Sequence, residues 1–308
     1  MKNKAKEMKV LVTGGAGFIG SNLVDALIAE GHQVTVIDNL FTGKKSQVNR
    51  KAKFVRADIC EPKKIKPYFK NIDWVFHLAA IARIQPSIKD PVPTIYNNII
   101  GTLNVLLAAR DAKVKRVIYS ASSSSYGDQQ TLPLHEKMSP RFKSPYSLSK
   151  YVGEELCRLF SNLYGLKTVS LRYFNVYGSR QLLTGAYATV IGIFLDQIRA
   201  GKSLTIVGDG KGERDFTHIN DIVRANILAA KSDKIGQGEL INIGTGKNYS
   251  VNKVAEMILG LSKKPTGAVN IPARPGETRR TLADNSKARE LLGWKPTISL
   301  EEGLKMLK

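Results

Sequence analysis

The sequence predicts an α/β protein built on a doubly wound parallel sheet, with a smaller lobe toward the C-terminus. Over the first half of the chain, short apolar runs with strand character alternate with segments of helical length. This alternation is typical of a parallel sheet covered by helices on both faces. The regular pattern ends after Arg172, so a different, smaller unit is expected there. A chain of 308 residues is long enough for both.

The elements of the sheet follow one another in a regular order. The first strand is predicted at 8–12 and the first helix at 18–30, where Gly31 ends it. A second strand follows at 34–37. Helix-length segments separate most of the later strand-like runs, which lie at 54–55, 74–76, 117–119 and 168–171.

Two closely joined lobes are predicted to alternate along the sequence. Residues 8–175 form the lobe that contains the sheet, and residues 217–243, with a helix at 220–230, return to it. Residues 176–216 and 244–308 form the smaller lobe. The sequence shows no internal repeat, low-complexity tract or linker-like stretch, so the two lobes are not expected to be tethered loosely.

The net charge of +21 raises the possibility of a nucleic-acid partner. The basic residues, however, occur in short groups spread along the chain. They form no long basic tail and are not interleaved with aromatic residues. We therefore predict a lysine-rich solvated surface and no nucleic-acid partner. The charge would still attract a dianionic substrate.

Cysteines and histidines give no sign of a metal site. Cys60 and Cys157 are too few for a disulfide framework, and the four histidines are scattered without ligand spacing. Apolar runs do not approach membrane-spanning length, and the basic start at 1–6 lacks the apolar core of a signal peptide. A cytoplasmic protein without a membrane partner is expected.

A glycine-rich loop between the first strand and the first helix predicts a dinucleotide site. Gly14, Gly17 and Gly20 lack side chains, so backbone amides and the helix N-terminus can approach a pyrophosphate closely. Asp38 ends the second strand, where a carboxylate accepts hydrogen bonds from the adenosine ribose. Its charge disfavours the extra phosphate of NADP, and no arginine directly follows it. The predicted cofactor is NAD.

The segment 144–150 is predicted to begin a helix, with Ser144 as its cap and Pro145 in its first turn. Four-residue spacing places the phenol of Tyr146 and the ammonium of Lys150 on one face. The helix dipole and the nearby cation are both expected to lower the pKa of Tyr146 and to favour its phenolate. The pair is therefore the candidate acid–base catalyst.

In combination, these motifs resemble the extended short-chain dehydrogenase/reductase family. The resemblance covers nearly the whole chain and rests on the loop 13–20, Asp58, the run 77–80 (His-Leu-Ala-Ala), Tyr146 with Lys150, and the segment 172–178 (Arg-Tyr-Phe-Asn-Val-Tyr-Gly). It implies a Rossmann-like lobe that holds NAD and a C-terminal lobe that holds a nucleotide sugar. Within the family, the sequence is most similar to the UDP-sugar 4-epimerases.

This resemblance assigns the catalytic roles to Tyr146, Lys150 and Ser122. Related dehydratases place an Asp-Glu pair where Ser123 and Ser124 stand, and related decarboxylases place a glutamate at the position of Ser124. Neither carboxylate is present in this sequence. Removal and return of a hydride at carbon 4 of the sugar, through a transient 4-keto form, is therefore the chemistry that the resemblance supports.

The resemblance also implies two sets of binding residues. The cofactor contacts are Gly14, Gly17, Phe18, Ile19, Gly20, Asp38, Asn39, Asp58, Ile59, Leu78, Ala79, Ala80, Asn97, Tyr146, Lys150 and Tyr173. The substrate contacts are Ser122, Ser123, Ser124, Tyr146, Asn175, Thr189, Val190, Thr205, Val207, Arg214, Arg274, Glu277 and Thr281. Guanidinium groups suit the phosphate oxygens of UDP, in keeping with the arginines of the second set.

Thr281 is expected to influence which sugar is accepted. It aligns with a position where some family members carry a bulky tyrosine that crowds the substituent on carbon 2. The segment 185–191 also resembles epimerases that accept N-acetylated sugars. Interconversion of UDP-N-acetylglucosamine and UDP-N-acetylgalactosamine is therefore predicted, with UDP-glucose and UDP-galactose as further substrates.

Two other interpretations stay open at this point. One is a different NAD-dependent reaction of a nucleotide sugar, such as a net oxidation. The other is a non-catalytic NAD-sensing module that binds RNA or a protein. The family resemblance also implies a homodimer, formed through helices near 91–110 and 146–164.

Overall fold

A computed structural model describes residues 6–261 and 266–307 of the chain. The strands are β1 (Lys9–Thr13), β2 (Gln33–Asp38), β3 (Lys53–Arg56), β4 (Trp74–His77), β5 (Arg116–Ser122), β6 (Thr168–Tyr173), β7 (Val176–Tyr177), β8 (Leu204–Val207), β9 (Glu213–Asp215), β10 (Thr217–His218), β11 (Gln237–Ile243), β12 (Asn248–Ser250) and β13 (Ala268–Ile271). The helices are α1 (Phe18–Ala29), α2 (Pro62–Ile65), α3 (Ile84–Lys89), α4 (Pro91–Ile95), α5 (Gly101–Asp111), α6 (Pro145–Tyr164), α7 (Val190–Arg199), α8 (Ile219–Lys231), α9 (Val251–Leu261), α10 (Ser286–Leu292) and α11 (Leu300–Lys305).

The central sheet has seven parallel strands in the order β3, β2, β1, β4, β5, β6, β11. Its first six strands have the order of the doubly wound dinucleotide-binding fold. The predicted fold class is therefore confirmed. Strand β11 extends the sheet beyond β6, because the chain returns to it after β10 and α8.

Helices cover both faces of this sheet because successive strand side chains point to opposite sides. Val10 and Val12 of β1 pack into one apolar core together with helices α1 and α8. Leu11, between them, packs into a second core with helices α5 and α6. These strands are buried on both faces, which explains their near-continuous apolar sequence.

A third apolar core lies away from the seven-stranded sheet. It is formed mainly by side chains of α7, α9 and α11, including Phe194, Val254 and Leu304. Three two-stranded sheets accompany it, pairing β7 with β10, β8 with β13, and β9 with β12. The lobe boundaries predicted from the sequence are retained as a proposal.

The strand register places the carboxyl ends of the central strands at one edge of the sheet. Thr13 lies opposite Ile37 and His77, and Ser122 lies opposite Tyr173. In an open parallel sheet, ligands bind outside this edge, where the strand order reverses. The loops that follow β1, β2, β4, β5 and β6 therefore converge there.

One helical stretch differs from the sequence prediction. Residues Pro91–Asp111, which include α4, a π-helical turn and α5, are long and apolar enough to cross a membrane by length and composition alone. The expectation that no apolar run reaches that length was wrong. About 44% of its most apolar 18-residue window is buried within the protein, and Val105, Leu106 and Ala109 belong to the second core.

Candidate active site

A cavity of about 530 Å³ lies at the carboxyl edge of the sheet and extends toward the third core. Its size is typical of a small-molecule site. It brings together residues that the sequence predicts for both the cofactor and the substrate. Those lining it are Gly14, Gly17, Phe18, Ile19, Gly20, Asp38, Asn39, Ile59, Leu78, Ala79, Ala80, Asn97, Ser122, Ser123, Ser124, Tyr146, Lys150, Tyr173, Asn175, Thr189, Val190, Thr205, Val207, Arg214, Arg274, Glu277 and Thr281.

The glycine loop leaves no space for side chains at Gly14 and Gly20. Gly14 has φ +73, and a Cβ added to it would lie 2.7 Å from the backbone nitrogen of Ala79. A Cβ on Gly20 would lie 2.2 Å from the carbonyl oxygen of Gly14. Helix α1 starts at Phe18 without a side-chain cap, so its first amides are available to an anionic ligand. The loop fits the diphosphate of a dinucleotide.

Asp38 ends β2 beside this loop. Its two carboxylate oxygens accept hydrogen bonds from the backbone N–H groups of Ala16 at 2.9 Å and Leu40 at 2.7 Å. Burial raises the pKa of Asp38, and these two hydrogen bonds oppose that rise. The fixed carboxylate keeps further lone pairs for ribose hydroxyls.

Asp58 does not line the cavity, unlike the other predicted cofactor residues. Its Oδ2 accepts a hydrogen bond from the side-chain amide of Asn39 at 2.8 Å, and its Oδ1 accepts one from the backbone N–H of Cys60 at 2.8 Å. The structure therefore places Asp58 behind Asn39, where it orients that side chain. Contact between Asp58 and the cofactor stays a prediction.

Helix α6 positions Tyr146 and Lys150 one turn apart. The hydroxyl of Ser144 accepts a hydrogen bond from the backbone N–H of Ser147 at 3.2 Å, and a reciprocal bond completes the capping box. The backbone N–H of Tyr146 donates to Ser87 Oγ at 3.2 Å, which joins the start of α6 to α3. Ser144 and Pro145 thus have the capping positions predicted for them.

The electrostatics of Tyr146 differ from the sequence prediction. Burial raises its pKa, while a hydrogen bond from Ser122 and the positive charge of Arg83 lower it, and the net direction is upward. The prediction of a lowered pKa caused by Lys150 was therefore wrong. Burial destabilises the phenolate of Tyr146 by more than Ser122 and Arg83 stabilise it.

Lys150 is 3% exposed, and its Nζ lies 4.5 Å from the centre of the Tyr119 ring. Burial lowers the pKa of Lys150 to about 8, while the carboxylate of Glu154 acts in the opposite direction. The ammonium is thus stabilised by the face of an aromatic ring and by a carboxylate one turn further along α6. At neutral pH it still carries its charge.

The loop after β5 supplies Ser122 and its neighbours. Ser122 Oγ and Ser124 Oγ are 2.9 Å apart, and Ser122 caps the short 3₁₀ turn Ser123–Tyr126 by accepting from the backbone N–H of Ser124 at 3.2 Å. This turn places three hydroxyl groups along the cavity beside Tyr146. It offers hydrogen bonds to an oxygen of the reacting ligand, and it carries no carboxylate.

At the other end of the cavity, Thr281 and Asn175 are tied to β9. Thr281 Oγ1 accepts from the backbone N–H of Asp215 at 3.2 Å and from Asn175 Nδ2, also at 3.2 Å. Asn175 Nδ2 also donates to the carbonyl of Asp215 at 3.1 Å. Thr281 is 6% exposed, and its small side chain forms part of the cavity wall.

The two predicted arginines have different surroundings. Arg214 donates to the carbonyls of Glu213 and Arg279, both at 3.0 Å, and lies 3.7 Å from Glu277 Oε2. Burial lowers the pKa of Arg214, although a guanidinium stays charged at any physiological pH. Arg274 is exposed at the cavity mouth. Both line the cavity.

The remaining predicted substrate residues line the wall formed by the third core. Thr189 caps helix α7, since its hydroxyl accepts from the backbone N–H of Gly192 at 3.4 Å, and Val190 follows it. Thr205 of β8 is held by Gln197, whose side chain both donates to it and accepts from it, and Val207 lies two residues further along the strand.

Arg83 is a cavity residue that the sequence reasoning missed. It follows the predicted run 77–80 after β4, and its guanidinium is close enough to Tyr146 to affect the pKa of the phenol. Its conformation, with φ 130, is one that an arginine rarely adopts, so no local pattern signalled it. Its position three residues beyond a predicted cofactor segment was the only available hint.

A dinucleotide cradle and an acid–base pair share this cavity, so fold and site together define a dinucleotide-dependent enzyme. The sequence matches the model of the NAD dependent epimerase/dehydratase family over residues 10–244. The chain belongs to this family. It uses NAD as its cofactor, as the sequence predicts.

Similar proteins match this chain over almost their whole length. UDP-glucose 4-epimerase of Mycolicibacterium smegmatis is 37% identical over 305 residues, which cover 96% of each chain. The crystal structure of UDP-glucose 4-epimerase of Thermotoga maritima with UDP-glucose is 40% identical, with a TM-score of 0.94 and 97% coverage of both chains. UDP-N-acetylglucosamine 4-epimerase of Methanobrevibacter ruminantium, in complex with UDP-N-acetylmuramic acid, is 36% identical, with a TM-score of 0.92 and coverage of 98% of this chain and 99% of that one. The predicted class of NAD-dependent UDP-sugar 4-epimerases is thereby supported, and the predicted enzyme is confirmed.

Proposed function

We propose that the protein inverts carbon 4 of a UDP-sugar, with NAD retained through the cycle. The observation that carries this proposal is the placement of Tyr146, Ser122 and Lys150 in one cavity with the glycine cradle. The 3₁₀ turn Ser123–Tyr126 has no acidic residue, so eliminating water or carbon dioxide lacks the carboxylates found in related dehydratases and decarboxylases. This pattern favours a redox-neutral inversion over a net loss of a substituent.

Each catalytic residue has a separate task in this proposal. Bound NAD supplies the acceptor, and later the donor, of a hydride at carbon 4. Tyr146 takes the proton of the 4-hydroxyl and returns it to the same oxygen after the sugar has turned its other face toward the cofactor. Ser122 donates a hydrogen bond to the reacting oxygen, and it lowers the pKa of Tyr146 from the high value that burial causes. Lys150 lies one turn along α6 from Tyr146, and its ammonium would add a positive charge beside the cofactor.

The UDP group would be held at the far end of the cavity. Arg214 and Arg274 are placed to contact the diphosphate together with Asn175, and Glu277 to contact the uridine ribose. Anchoring at the nucleotide leaves the sugar free to rotate and present its other face. This freedom is what an inversion requires, since the cofactor and Tyr146 keep their positions.

The finer substrate assignment follows from Thr281. Its small side chain at the cavity wall leaves room for an N-acetyl group on carbon 2 of the sugar. We therefore propose UDP-N-acetylglucosamine and UDP-N-acetylgalactosamine as an interconverted pair, with UDP-glucose and UDP-galactose also accepted. Residues 186–191, which belong to the segment 185–191 that the resemblance links to the same preference, lie at this cavity.

Purified protein incubated with UDP-N-acetylglucosamine or UDP-glucose should yield the 4-epimer without net formation of NADH. Replacing Tyr146 with phenylalanine should reduce turnover by about 10²- to 10⁴-fold, because the acid–base group is lost. Bound NAD, measured after denaturation, should be unchanged. Product separation and absorbance at the NADH band report the two quantities.

A matched control is available on the same helix. Tyr151, whose ring packs against Phe142 at 5.2 Å, lies outside the cavity, so Tyr151→Phe should retain parental turnover. Full activity of Tyr146→Phe would refute the assigned role. Accumulation of NADH in proportion to product would show a net oxidation instead of an inversion, and salt-dependent RNA binding without turnover would favour the non-catalytic interpretation.

The assembly expected from the resemblance is a homodimer, and the surface of α4 and α6 supports it. Exposed apolar side chains gather on these helices, on the neighbouring α3 and on the segments beside them: Ile88, Val92, Tyr96, Phe142, Leu148, Leu159, Leu163 and Tyr164. A second copy of the chain is the proposed occupant. The cytoplasmic location and the lack of a nucleic-acid or membrane partner stay predictions.

A further inference from the structure

Arg83 presents a positive charge to the reacting end of the cavity. Its Nε donates to the carbonyl oxygen of Tyr187 at 2.7 Å, which is its only hydrogen bond to the described residues. A guanidinium has five N–H groups, so the four on its two terminal nitrogens remain available. Across residues 6–261 and 266–307, no carboxylate forms an ion pair with Arg83, and the phenol of Tyr146 interacts with it electrostatically.

The backbone at Arg83 is held in a conformation suited to glycine. Its φ of 130 and ψ of 144 lie outside the regions that residues with a Cβ favour. Neighbouring contacts fix this geometry: the backbone N–H of Ile81 donates to Asn98 Oδ1 at 2.8 Å, and Asn98 Nδ2 donates to Ser149 Oγ of α6 at 2.9 Å. Such strain is concentrated at functional positions, because the surrounding structure must oppose it.

This charge is separate from the cations assigned to the diphosphate. Arg214 interacts with Glu277 and Asp128, whereas Arg83 interacts with Tyr146. Asp38 and Glu277 are the acidic side chains among the described residues that line the cavity; Asp38 accepts from backbone N–H groups, Glu277 lies near Arg214, and neither forms an ion pair with Arg83. Compensation for the Arg83 charge must therefore come from the ligand or from a phenolate at Tyr146.

We propose that Arg83 selects a UDP-sugar that carries a carboxylate on a substituent next to carbon 4. This inference rests on the proposed function and places an acidic class of UDP-sugar ahead of the neutral pairs named there. A carboxylate in this position can accept two parallel hydrogen bonds from the terminal guanidinium nitrogens. The hydroxyl of Ser123, which lines the same region and has no hydrogen-bond partner among the described residues, supplies a further donor.

Carbon 4 has two neighbours in the ring, so two kinds of substrate share this chemistry. A hexuronate bears its carboxylate on carbon 5, and a carboxyalkyl ether bears it on the oxygen of carbon 3. An N-acetyl group on carbon 2 is compatible with either, since Thr281 lies at a different wall, tied to β9. UDP-glucuronic acid and UDP-N-acetylmuramic acid are the probes for the two positions.

The test compares each acidic probe with its neutral counterpart, UDP-glucose or UDP-N-acetylglucosamine, in the NAD-loaded enzyme. The parent should show the higher kcat/KM on one acidic probe. Arg83→Gln should lower kcat/KM for that acidic probe by about 10- to 150-fold more than for its neutral counterpart, the range for a lost hydrogen bond to a charged group, whereas the effect of its charge on Tyr146 is common to both probes. Arg83→Lys, which keeps the charge, should recover part of the loss.

Two further variants separate recognition from folding. Arg83→Gly relieves the unfavourable φ, so it should retain the parental thermal midpoint while losing the preference for acidic probes. Arg279→Gln removes an exposed arginine that faces Asp209 and should change nothing. Calorimetric titration of each probe into each variant reports binding independently of turnover.

The possible results are distinct. Equal losses on acidic and neutral probes in Arg83→Gln would overturn the proposal and make Arg83 a partner of the Tyr146 phenolate alone. Inversion of neutral sugars with no binding of either acidic probe would overturn it and leave the proposed function intact. If no UDP-sugar is inverted, the proposed function fails, and the inference fails with it.

Discussion

At the residue scale, the sequence identified the groups whose chemistry depends on their type and missed those whose role depends on their surroundings. Gly14 and Asp38 were predictable because few residues allow a close backbone approach or accept ribose hydroxyls. The hydrogen bond that joins Asn39 to Asp58 is a tertiary contact with no local signal. The pKa of Tyr146 was misjudged for the same reason, since burial acts through the whole cavity wall.

The size of residue 281 should determine tolerance for an N-acetyl group. Thr281→Tyr is expected to lower kcat/KM for UDP-N-acetylglucosamine by about 10- to 200-fold more than for UDP-glucose, because the larger ring occupies the space beside carbon 2. Paired kinetics on the two substrates give the ratio. Equal losses on both substrates would show that the size of residue 281 does not determine tolerance for the N-acetyl group.

Thr281→Val is the appropriate control for this substitution. It removes the hydroxyl that accepts from Asn175 and from the backbone N–H of Asp215 but keeps the volume of the side chain. Any loss that it causes should affect both substrates alike. A selective effect of valine would show that hydrogen bonding, rather than bulk, discriminates between the sugars.

At the element scale, helix α6 joins catalysis to the sheet. Its start was predictable from Ser144 and Pro145, because capping is a local property. The attachment of α6 to the sheet was not predictable from the sequence. Glu154 forms two hydrogen bonds to the guanidinium of Arg172 on β6, at 2.9 and 2.6 Å, and both side chains are almost fully buried. The Arg172 guanidinium also lies 4.4 Å from the centre of the Tyr126 ring.

Breaking this pair should affect both stability and the pH profile. Glu154→Gln leaves a buried guanidinium without its counter-charge, so the free energy of unfolding should fall by about 3–5 kcal/mol in chemical denaturation. The lost carboxylate also supports the protonated form of Lys150, whose pKa is about 8. That pKa should fall further, and the alkaline loss of kcat/KM should begin at a lower pH.

An exposed ion pair provides the comparison. Glu301 and Lys305, four residues apart on α11, are separated by 2.9 Å, and both are exposed. Glu301→Gln should cost less than about 0.5 kcal/mol and leave the pH profile unchanged. If Glu154→Gln behaves in the same way, α6 is not secured by its buried pair.

At the scale of the whole molecule, the fold was predictable because the parallel sheet is buried on both faces. Its strands show as apolar runs wherever they occur in the chain, and the helices between them have ordinary lengths. The amphipathic character of the segment Pro91–Asp111 was harder to read. One side packs into the second core, while Val92 and Tyr96 remain exposed.

Charge and apolar surface have opposite effects on assembly. The net charge of +21 causes repulsion between two copies, whereas the exposed apolar side chains of α4 and α6 favour association. Salt screens the repulsion and leaves the apolar contact largely intact. A dimer formed through this face should therefore strengthen as the ionic strength rises. A contact made by salt bridges would weaken instead.

Leu159 and Leu163 are 46% and 63% exposed and lie one turn apart on α6. Replacing both with glutamate should convert a dimer of the 33.9 kDa chain into a monomer in sedimentation velocity, because buried carboxylates would lack partners in the interface. The matched control replaces Val269 and Met306 with glutamate. These residues are 49% and 61% exposed at other surfaces, so the control variant should remain dimeric. A monomeric parent protein at micromolar concentration, or a dimer that persists in Leu159→Glu/Leu163→Glu, would exclude this face as the interface. Circular dichroism of both variants distinguishes dissociation from unfolding, since both sites are on the surface and should leave the three cores unchanged.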